Sequence, residues 1–509
     1  MNNIYRILQE TTEKFPEKEA LIFKDHRINY EKLKSSVDRL ASGLKELGFK
    51  KGDRIALMLP NIPHFVICFF AGLKLGLTIL PISIYYKTEE VHHRLEDAEV
   101  KGIIYLDKFR EIIFQAVRGL DRCKHLIVLA DQANQGEIRL NGLMEVMKPL
   151  QETEQINTED TAIISYTAGV TGFPKGAQLT HGNILFDINA FVSYIKFDHN
   201  DIVMGVIPLS HPLGFTLIMG AFIYCGGSIM LIPQLNVSRA FDIVEKEKVT
   251  CFIAVPSVIK EIVENKNFPD KKVSSLKYCI SSGDAMDPEI FKKFEDKYHV
   301  AILESYGLTE ASPLVSLNNP FHERIPGSIG FPLPGVEMRF INEDGEPIKP
   351  GEIGEIQIKG ENIMKGYLNK PEATKEVIQE GWLKTGDYIV LHESGYKKIV
   401  ARRKNMIIKS GFNIYPREVE KFLSGHPKVK EAVVFGIPDS QVGEEVTACI
   451  VLNDSEKADE KEFIEYLQQR MAAYKCPQKV YFRDEFPKGP TGRILTDKVK
   501  EELLKSVKN

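Results

Sequence analysis

Eleven residues, from Tyr166 to Gly176, hold three glycines, two threonines and one lysine. Glycine lets backbone N–H groups come close to an anion. Thr167 and Thr171 add hydroxyl donors, and Lys175 adds a positive charge. The run before them, Thr161–Ser165, reads as a short strand, so the loop sits at a strand end. That is the chemistry of a triphosphate clamp. The spacing fits neither G-x-x-x-x-G-K-[ST] nor G-x-G-x-x-G, and a flexible surface hairpin rich in turn residues has the same composition.

Such a loop has to be held by a larger framework. At 509 residues the chain exceeds one small core, so two or more domains are expected. Hydrophobic content of 43% and charged content of 27% are those of an ordinary globular protein, and the formal net charge of -4 points to no nucleic-acid partner. The 7 cysteines are dispersed and form no C-x-x-C pair, which fits reduced, buried thiols in a cytoplasmic protein. The polar N-terminus has no signal-peptide core. Phe65–Ile84 is long and apolar enough to raise the question of a membrane span, but Lys74 interrupts it and Gly72, Gly76 and Pro81 punctuate it. A buried helix followed by a buried strand is the expectation, with no transmembrane segment.

From Met1 to about Val300, strand-like runs such as Arg54–Leu59, His125–Leu129 and Leu276–Ser281 alternate with helical patterns such as Tyr30–Leu47. This predicts an α/β fold of parallel sheets covered by helices. After Glu310 the texture becomes turn-rich and short strands alternate, as in a small β-barrel-like subdomain over about 325–400. The last hundred residues read as an α+β unit, with an amphipathic helix over Glu460–Tyr474 capped by Asp459. The expected organisation is an N-terminal domain over 1–401 and a mobile C-terminal domain over 402–509.

The loop resembles the phosphate loop of the acyl-adenylate-forming enzymes, and four more segments resemble that superfamily's other signatures in the family's order. They are Tyr306–Glu310, Trp382–Asp387, Ala401–Glu420 and Pro487–Ile494. The likeness covers nearly the whole chain and runs closest to bacterial fatty-acyl-CoA synthetases. It implies that a carboxylic acid, ATP, Mg²⁺ and coenzyme A meet here. Thr167, Ala168, Gly169, Val170, Thr171, Gly172 and Lys175 would hold the phosphates. Thr309 would contact the α-phosphate, and Glu310, with Thr167, would ligate Mg²⁺. Gly283, Asp284, Ala285, Tyr306 and Gly307 would line the adenine side. Asp387 and Arg402 would take the ribose, and His211 would stand at the acyl site. Arg493 would bridge carboxylate and phosphate during adenylation. A hinge near Arg402–Asn405 would then present Gly411 to a pantetheine arm.

Five positions depart from the family's pattern, among them Ser282 where glycine is more usual and Asn405 where aspartate is often found. Ala168 and Val170 stand where hydroxyl residues are usual, so weaker pyrophosphate binding is expected. Arg493 stands where lysine is usual; it keeps the charge but is planar and two-pronged rather than a point charge. Between Gly205 and Leu235 there is no Asp, Glu, Lys or Arg. An unpaired substrate ammonium would be costly in such surroundings, so an apolar acid is expected, a medium- or long-chain fatty acid ahead of an aromatic one. Three readings stay open: an acyl-CoA synthetase, a ligase loading an acyl carrier protein, and a catalytically impaired nucleotide- or acyl-binding relative. A lipid substrate also allows transient membrane contact.

Overall fold

The computed structural model describes residues 3–507 apart from 168–173, 266–272, 284–285, 343, 403–406, 415, 454–455, 488–493 and 495, with backbone alone at 238, 353, 400–402, 413, 417, 497 and 506–507. The chain divides into two compact units: Met1–Ile84, Val91–Tyr166 and Gly176–Ala401 form the first, and Tyr85–Glu90, Thr167–Lys175 and Arg402–Asn509 the second.

Three sheets build the first unit. In the nine-stranded sheet the order is Phe331–Pro332, Leu314–Leu317, Ala301–Gly307, Tyr278–Ser281, Cys251–Ala254, Ile202–Gly205, Ser228–Leu231, Glu19–Phe23 and His26–Asn29. Its interior pairs are parallel and its edges antiparallel. The eight-stranded sheet runs from Gly366–Tyr367 through Lys175–Thr180 and Thr161–Thr167 to Thr78–Pro81, Arg54–Met58, Gly102–Leu106, His125–Leu129 and Glu137–Arg139. The third sheet is antiparallel and five-stranded, built from Glu337–Ile341, Ile353–Lys359, Trp382–Leu391, Ile378–Gln379 and Lys397–Arg402. It begins at Glu337, because Phe331–Pro332 pairs instead with Leu314–Leu317 in the nine-stranded sheet.

Local sequence explains the main elements. Asn29 caps the helix Tyr30–Glu46 by accepting from the Lys32 N–H, and Leu33, Val37, Leu40 and Leu44 bury one face of it. Phe65–Ile84 becomes the buried helix Pro63–Lys74, started by its proline, and the strand Thr78–Pro81. No helix among the described residues is long and apolar enough to cross a membrane.

In the second unit, Val429–Asp439 and Gly443–Leu452 form a long hairpin joined by Ile407–Lys409, Phe412–Ile414 and Lys479–Phe482. Asp459 caps a helix as expected, but that helix covers only Glu460–Gln468. It ends early because the Ala472 N–H is taken by the Glu90 carboxylate rather than by a helical carbonyl.

Lys74, the charge that interrupts the apolar helix, is 1% exposed. Its ammonium donates to Asp38 Oδ1 at 2.7 Å, which also accepts from the Tyr5 hydroxyl at 2.8 Å. Asp38 Oδ2 accepts from Lys34 at 2.6 Å. Removing one partner of a buried ion pair leaves a charge uncompensated. Asp38→Ala is therefore expected to lower the unfolding free energy by about 3–5 kcal/mol in urea titrations, and Tyr5→Phe by about 1 kcal/mol. Equal, small effects of the two would show that Lys74 does not depend on Asp38.

Candidate active site

Tyr166 sits in the strand Thr161–Thr167, and the strand Lys175–Thr180 lies beside it in the sheet. The Tyr166 hydroxyl donates to Asp97 Oδ2 at 2.5 Å, and the Arg94 guanidinium lies over its ring. A Cβ at Gly176 would come within 2.8 Å of Ile164 Cγ2 and 3.2 Å of Tyr166 Cζ, so a side chain there would push the tyrosine aside. Thr167 is buried at its strand end, and Lys175 opens the next strand. Ala168, Gly169, Val170, Thr171 and Gly172 lie outside the described residues, as do Asp284, Ala285 and Arg493. Arg402 ends the strand Lys397–Arg402, with only its backbone described. Thr167, Lys175 and Arg402 belong to the second unit, whereas Tyr306, Glu310 and Asp387 belong to the first.

The first unit brings its candidates together from separate sheets. Tyr306, on the strand Ala301–Gly307, donates its hydroxyl to Asp387 Oδ2 at 2.8 Å. Both side chains are buried, and Asp387 comes from the antiparallel sheet. The Asp387 N–H in turn donates to Thr385 Oγ1, which donates to the Ile356 carbonyl. Thr309 opens a single turn, Thr309–Ala311. Glu310 is buried, and its Oε1 accepts from the Tyr367 hydroxyl at 2.7 Å. Tyr367 belongs to the short strand Gly366–Tyr367, which pairs with Ala177 and Gln178 at the edge of the eight-stranded sheet. The Glu310 carbonyl accepts from the Met364 N–H at 2.8 Å.

The turn that carries Glu310 is pinned from behind. Leu308 N–H donates to the Pro313 carbonyl, and a Cβ at Gly307 would lie 2.0 Å from that oxygen, so only glycine fits. Asp187 Oδ2 accepts from Leu314 N–H at 2.8 Å, and Thr216 Oγ1 donates to the Ser312 carbonyl at 2.9 Å. Asp187 is fully buried, and that burial pushes its carboxyl far above the usual range.

His211 lies at the turn before Leu213–Gly220, a π-helical segment rather than the regular helix its composition suggests. Its Nδ1 accepts from Leu213 N–H, which leaves the proton of the neutral ring on Nε2. The residue is exposed at the surface, although the protein packed around its ring desolvates it and pushes its pKa down, to about 4. At neutral pH it is an uncharged donor at Nε2. Gly283 and Gly411 both adopt positive φ, +95° and +79°. Gly411 turns the chain between Ile407–Lys409 and Phe412–Ile414, and the Phe412 ring stacks on Tyr474 at 4.2 Å.

Among the described residues no group of three or more His, Cys, Asp or Glu side chains could hold a metal ion. Glu310 offers a hard carboxylate oriented by the Tyr367 hydroxyl. That suits Mg²⁺, which binds through one or two carboxylates and completes its shell with water and substrate phosphates. Tyr367 and Glu304 were missed by sequence reasoning. Tyr367 is 57 residues from Glu310 and carries no local signal. Glu304 did carry one, a carboxylate two residues before Tyr306 that directly follows the apolar run Ala301–Leu303.

A profile of AMP-binding enzymes matches residues 8–368, and one of the AMP-binding enzyme C-terminal domain matches 418–493. A long-chain-fatty-acid–CoA ligase of Bacillus subtilis is 34% identical over 97% of this chain and 94% of its own length. A feruloyl-CoA synthase of an Amycolatopsis species is 32% identical over 94% of each chain. An o-succinylbenzoate CoA synthetase from Bacillus subtilis, solved as a double mutant with a product analogue, superposes with a TM-score of 0.88 at 28% identity, covering 98% of both chains. With both family profiles in order and relatives aligned nearly end to end, the chain belongs to the AMP-binding enzyme family, as an AMP-forming acyl-CoA synthetase.

Proposed function

We propose that the protein activates a long-chain fatty acid with ATP and transfers the acyl group to coenzyme A. The observation that carries this reading is the pairing of Tyr306 with Asp387 and of Tyr367 with Glu310, in a chain that aligns along its length with a long-chain-fatty-acid–CoA ligase.

A carboxylate is a poor acyl donor because its leaving group would be oxide. One carboxylate oxygen attacks the α-phosphorus of ATP; the new O–P bond forms as the bond from that phosphorus to the pyrophosphate oxygen breaks. The thiol of coenzyme A then loses its proton, its sulfur attacks the acyl carbonyl, and the C–O bond to AMP breaks. Both steps bring anions together, so charge and directed donors matter most. Lys175 and Arg493 would supply the charge, Thr309 a hydroxyl at the α-phosphate, and the loop with Thr167 and Thr171 the phosphate cradle. Asp387 would accept from the ribose alongside Arg402, with Gly283, Asp284, Ala285 and Gly307 on the adenine side. Glu310, with Thr167, would hold Mg²⁺, which when bound draws negative charge off the phosphates. Gly411 would admit the pantetheine arm.

The apolar run Gly205–Leu235 supports an alkyl acid. Leu213, Phe215, Leu217, Ile218 and Met219 are buried along it, and neutral His211 adds no charge. All seven cysteines are free, which suits a reducing, cytoplasmic setting.

ATP–pyrophosphate exchange is expected to require a long-chain fatty acid, and acyl-CoA to form when coenzyme A and a phosphopantetheine carrier protein are offered together. Acylation of the carrier alone would favour the carrier-protein ligase. Silence across fatty and aryl acids would favour a non-catalytic binding protein. In Tyr367→Phe, loss of a hydrogen bond to a buried carboxylate is expected to lower kcat/KM about tenfold and to raise the Mg²⁺ concentration needed for half-maximal rate. An unchanged Mg²⁺ requirement would separate Glu310 from the metal.

A further inference from the structure

Glu304 lies on the strand Ala301–Gly307, two residues before Tyr306, so the two side chains share a face of the sheet. It is 5% exposed and pairs with no cation among the described residues. Its two oxygens serve two different segments. Oε1 accepts from Met286 N–H at 3.2 Å, and Oε2 from Gly327 N–H at 2.8 Å. Met286 directly follows Gly283–Ala285, the segment assigned above to the adenine side. Gly327, at a φ of +80°, opens the turn-rich stretch that leads to Phe331–Pro332. The Glu304 backbone is itself fixed: its N–H donates to Asn318 Oδ1, and its carbonyl accepts from Asn318 N–H at 2.8 Å. A carboxylate held this rigidly and left without a counter-ion is costly to bury. Simple packing would be served as well by an uncharged residue.

We propose that Glu304 is a positioning residue for the nucleotide: its carboxylate ties the chain at Met286 to the Gly327 turn, and loss of that tie weakens ATP binding. The inference rests on the ATP-dependent reading above. Both amides are donors, so both oxygens must be acceptors. Protonation turns one oxygen into a donor facing an N–H, and one of the two segments is released. Burial raises the pKa of this carboxyl to about 7, while the two amides pull it back down. Surrounding ionisable groups are engaged elsewhere. Arg324 pairs with Glu295, and Tyr306 with Asp387. On the neighbouring strand, Cys279 is a buried thiol whose pKa is itself raised, and Tyr278 precedes it. Lys398 reaches over Gly327, and Lys397 is lowered by its own desolvation. None of these groups contributes to the ionisation of Glu304.

The test is the KM for ATP of wild type and Glu304→Gln from pH 6 to 8, with full-length protein, saturating fatty acid and saturating coenzyme A. Glutamine can accept from one amide but offers its NH₂ to the other, so it mimics the protonated acid at every pH. At pH 8 the variant's KM is expected to exceed that of wild type about tenfold, with kcat within about twofold. The ratio should shrink toward unity by pH 6, where wild type has lost the same bond. The titration of ATP itself is common to both proteins and cancels in the ratio. Because the carboxyl's pKa is raised on folding, its contribution to stability is lost as pH rises through about 7, so the variant should melt no lower than wild type at pH 8. A KM ratio that is flat with pH, or a fall confined to kcat, overturns the proposal. Should the variant fail to fold, amide hydrogen exchange of wild type reads the same tie. Protection at Met286 and Gly327, corrected for intrinsic exchange, should fall from pH 8 to pH 6, and pH-independent protection overturns it. Wild type that forms no acyl-CoA with ATP at pH 8 defeats the functional reading instead, while hydrogen exchange still decides the role of Glu304.

Discussion

Two tyrosine–carboxylate hydrogen bonds hold the first unit's site together. Tyr306 to Asp387 joins the nine-stranded sheet to the antiparallel sheet, and Tyr367 to Glu310 joins the nine-stranded sheet to the edge of the eight-stranded one. Each carboxylate is buried, and an ionised oxygen removed from water needs a donor. The hydroxyl supplies that donor while its ring fills apolar space, a combination no aliphatic side chain offers. Sheets that share no strand are thereby registered to within a hydrogen bond, a tolerance that catalytic groups require and that apolar contact alone does not impose.

Around these bonds the irregular backbone follows the same demand. Gly307 has no room for a Cβ because the turn carrying Thr309 and Glu310 folds back onto Pro313. The π-helical Leu213–Gly220 is tied to that turn through Thr216 and Ser312. Asp187 holds Leu314 through one oxygen, at the cost of a buried carboxyl. Residues that look dispensable in sequence thus fix where the turn that carries Glu310 stands.

How much of this was legible depended on whether the signal was local. The strand His125–Leu129 and the helix starting at Tyr30 were read at their observed positions because apolar periodicity is written in consecutive residues. Phe65–Ile84 was read correctly as helix then strand because Lys74 and the glycines break the run, although nothing in the run reveals that Asp38 and Tyr5 satisfy the lysine. The helix from Glu460 was read six residues too long, since its end is set by Glu90, 382 positions away from Ala472. In the candidate site, Tyr306, Glu310 and Asp387 were proposed from motif resemblance, and their types announce acceptors and an aromatic. That Tyr306 spends its hydroxyl on Asp387, and that Tyr367 serves Glu310, are pairings between distant strands which no spacing encodes.

The acyl group is the least legible feature, and physics gives the reason. Polar machinery tolerates few substitutions because each donor must meet its acceptor within a few tenths of an ångström. An apolar pocket asks only for volume and shape, and its residues exchange freely if both are kept. Relatives of nearly equal identity to this chain are accordingly named for a long-chain fatty acid and for ferulate. The stretch Leu213–Gly220 reads in sequence like any buried helix. Its wider π-helical winding shifts each side chain from where a regular helix would place it. In the reading proposed above, the shape of the acyl site would follow from a backbone irregularity that composition does not announce, whereas the phosphate and carboxylate chemistry would follow from residue types.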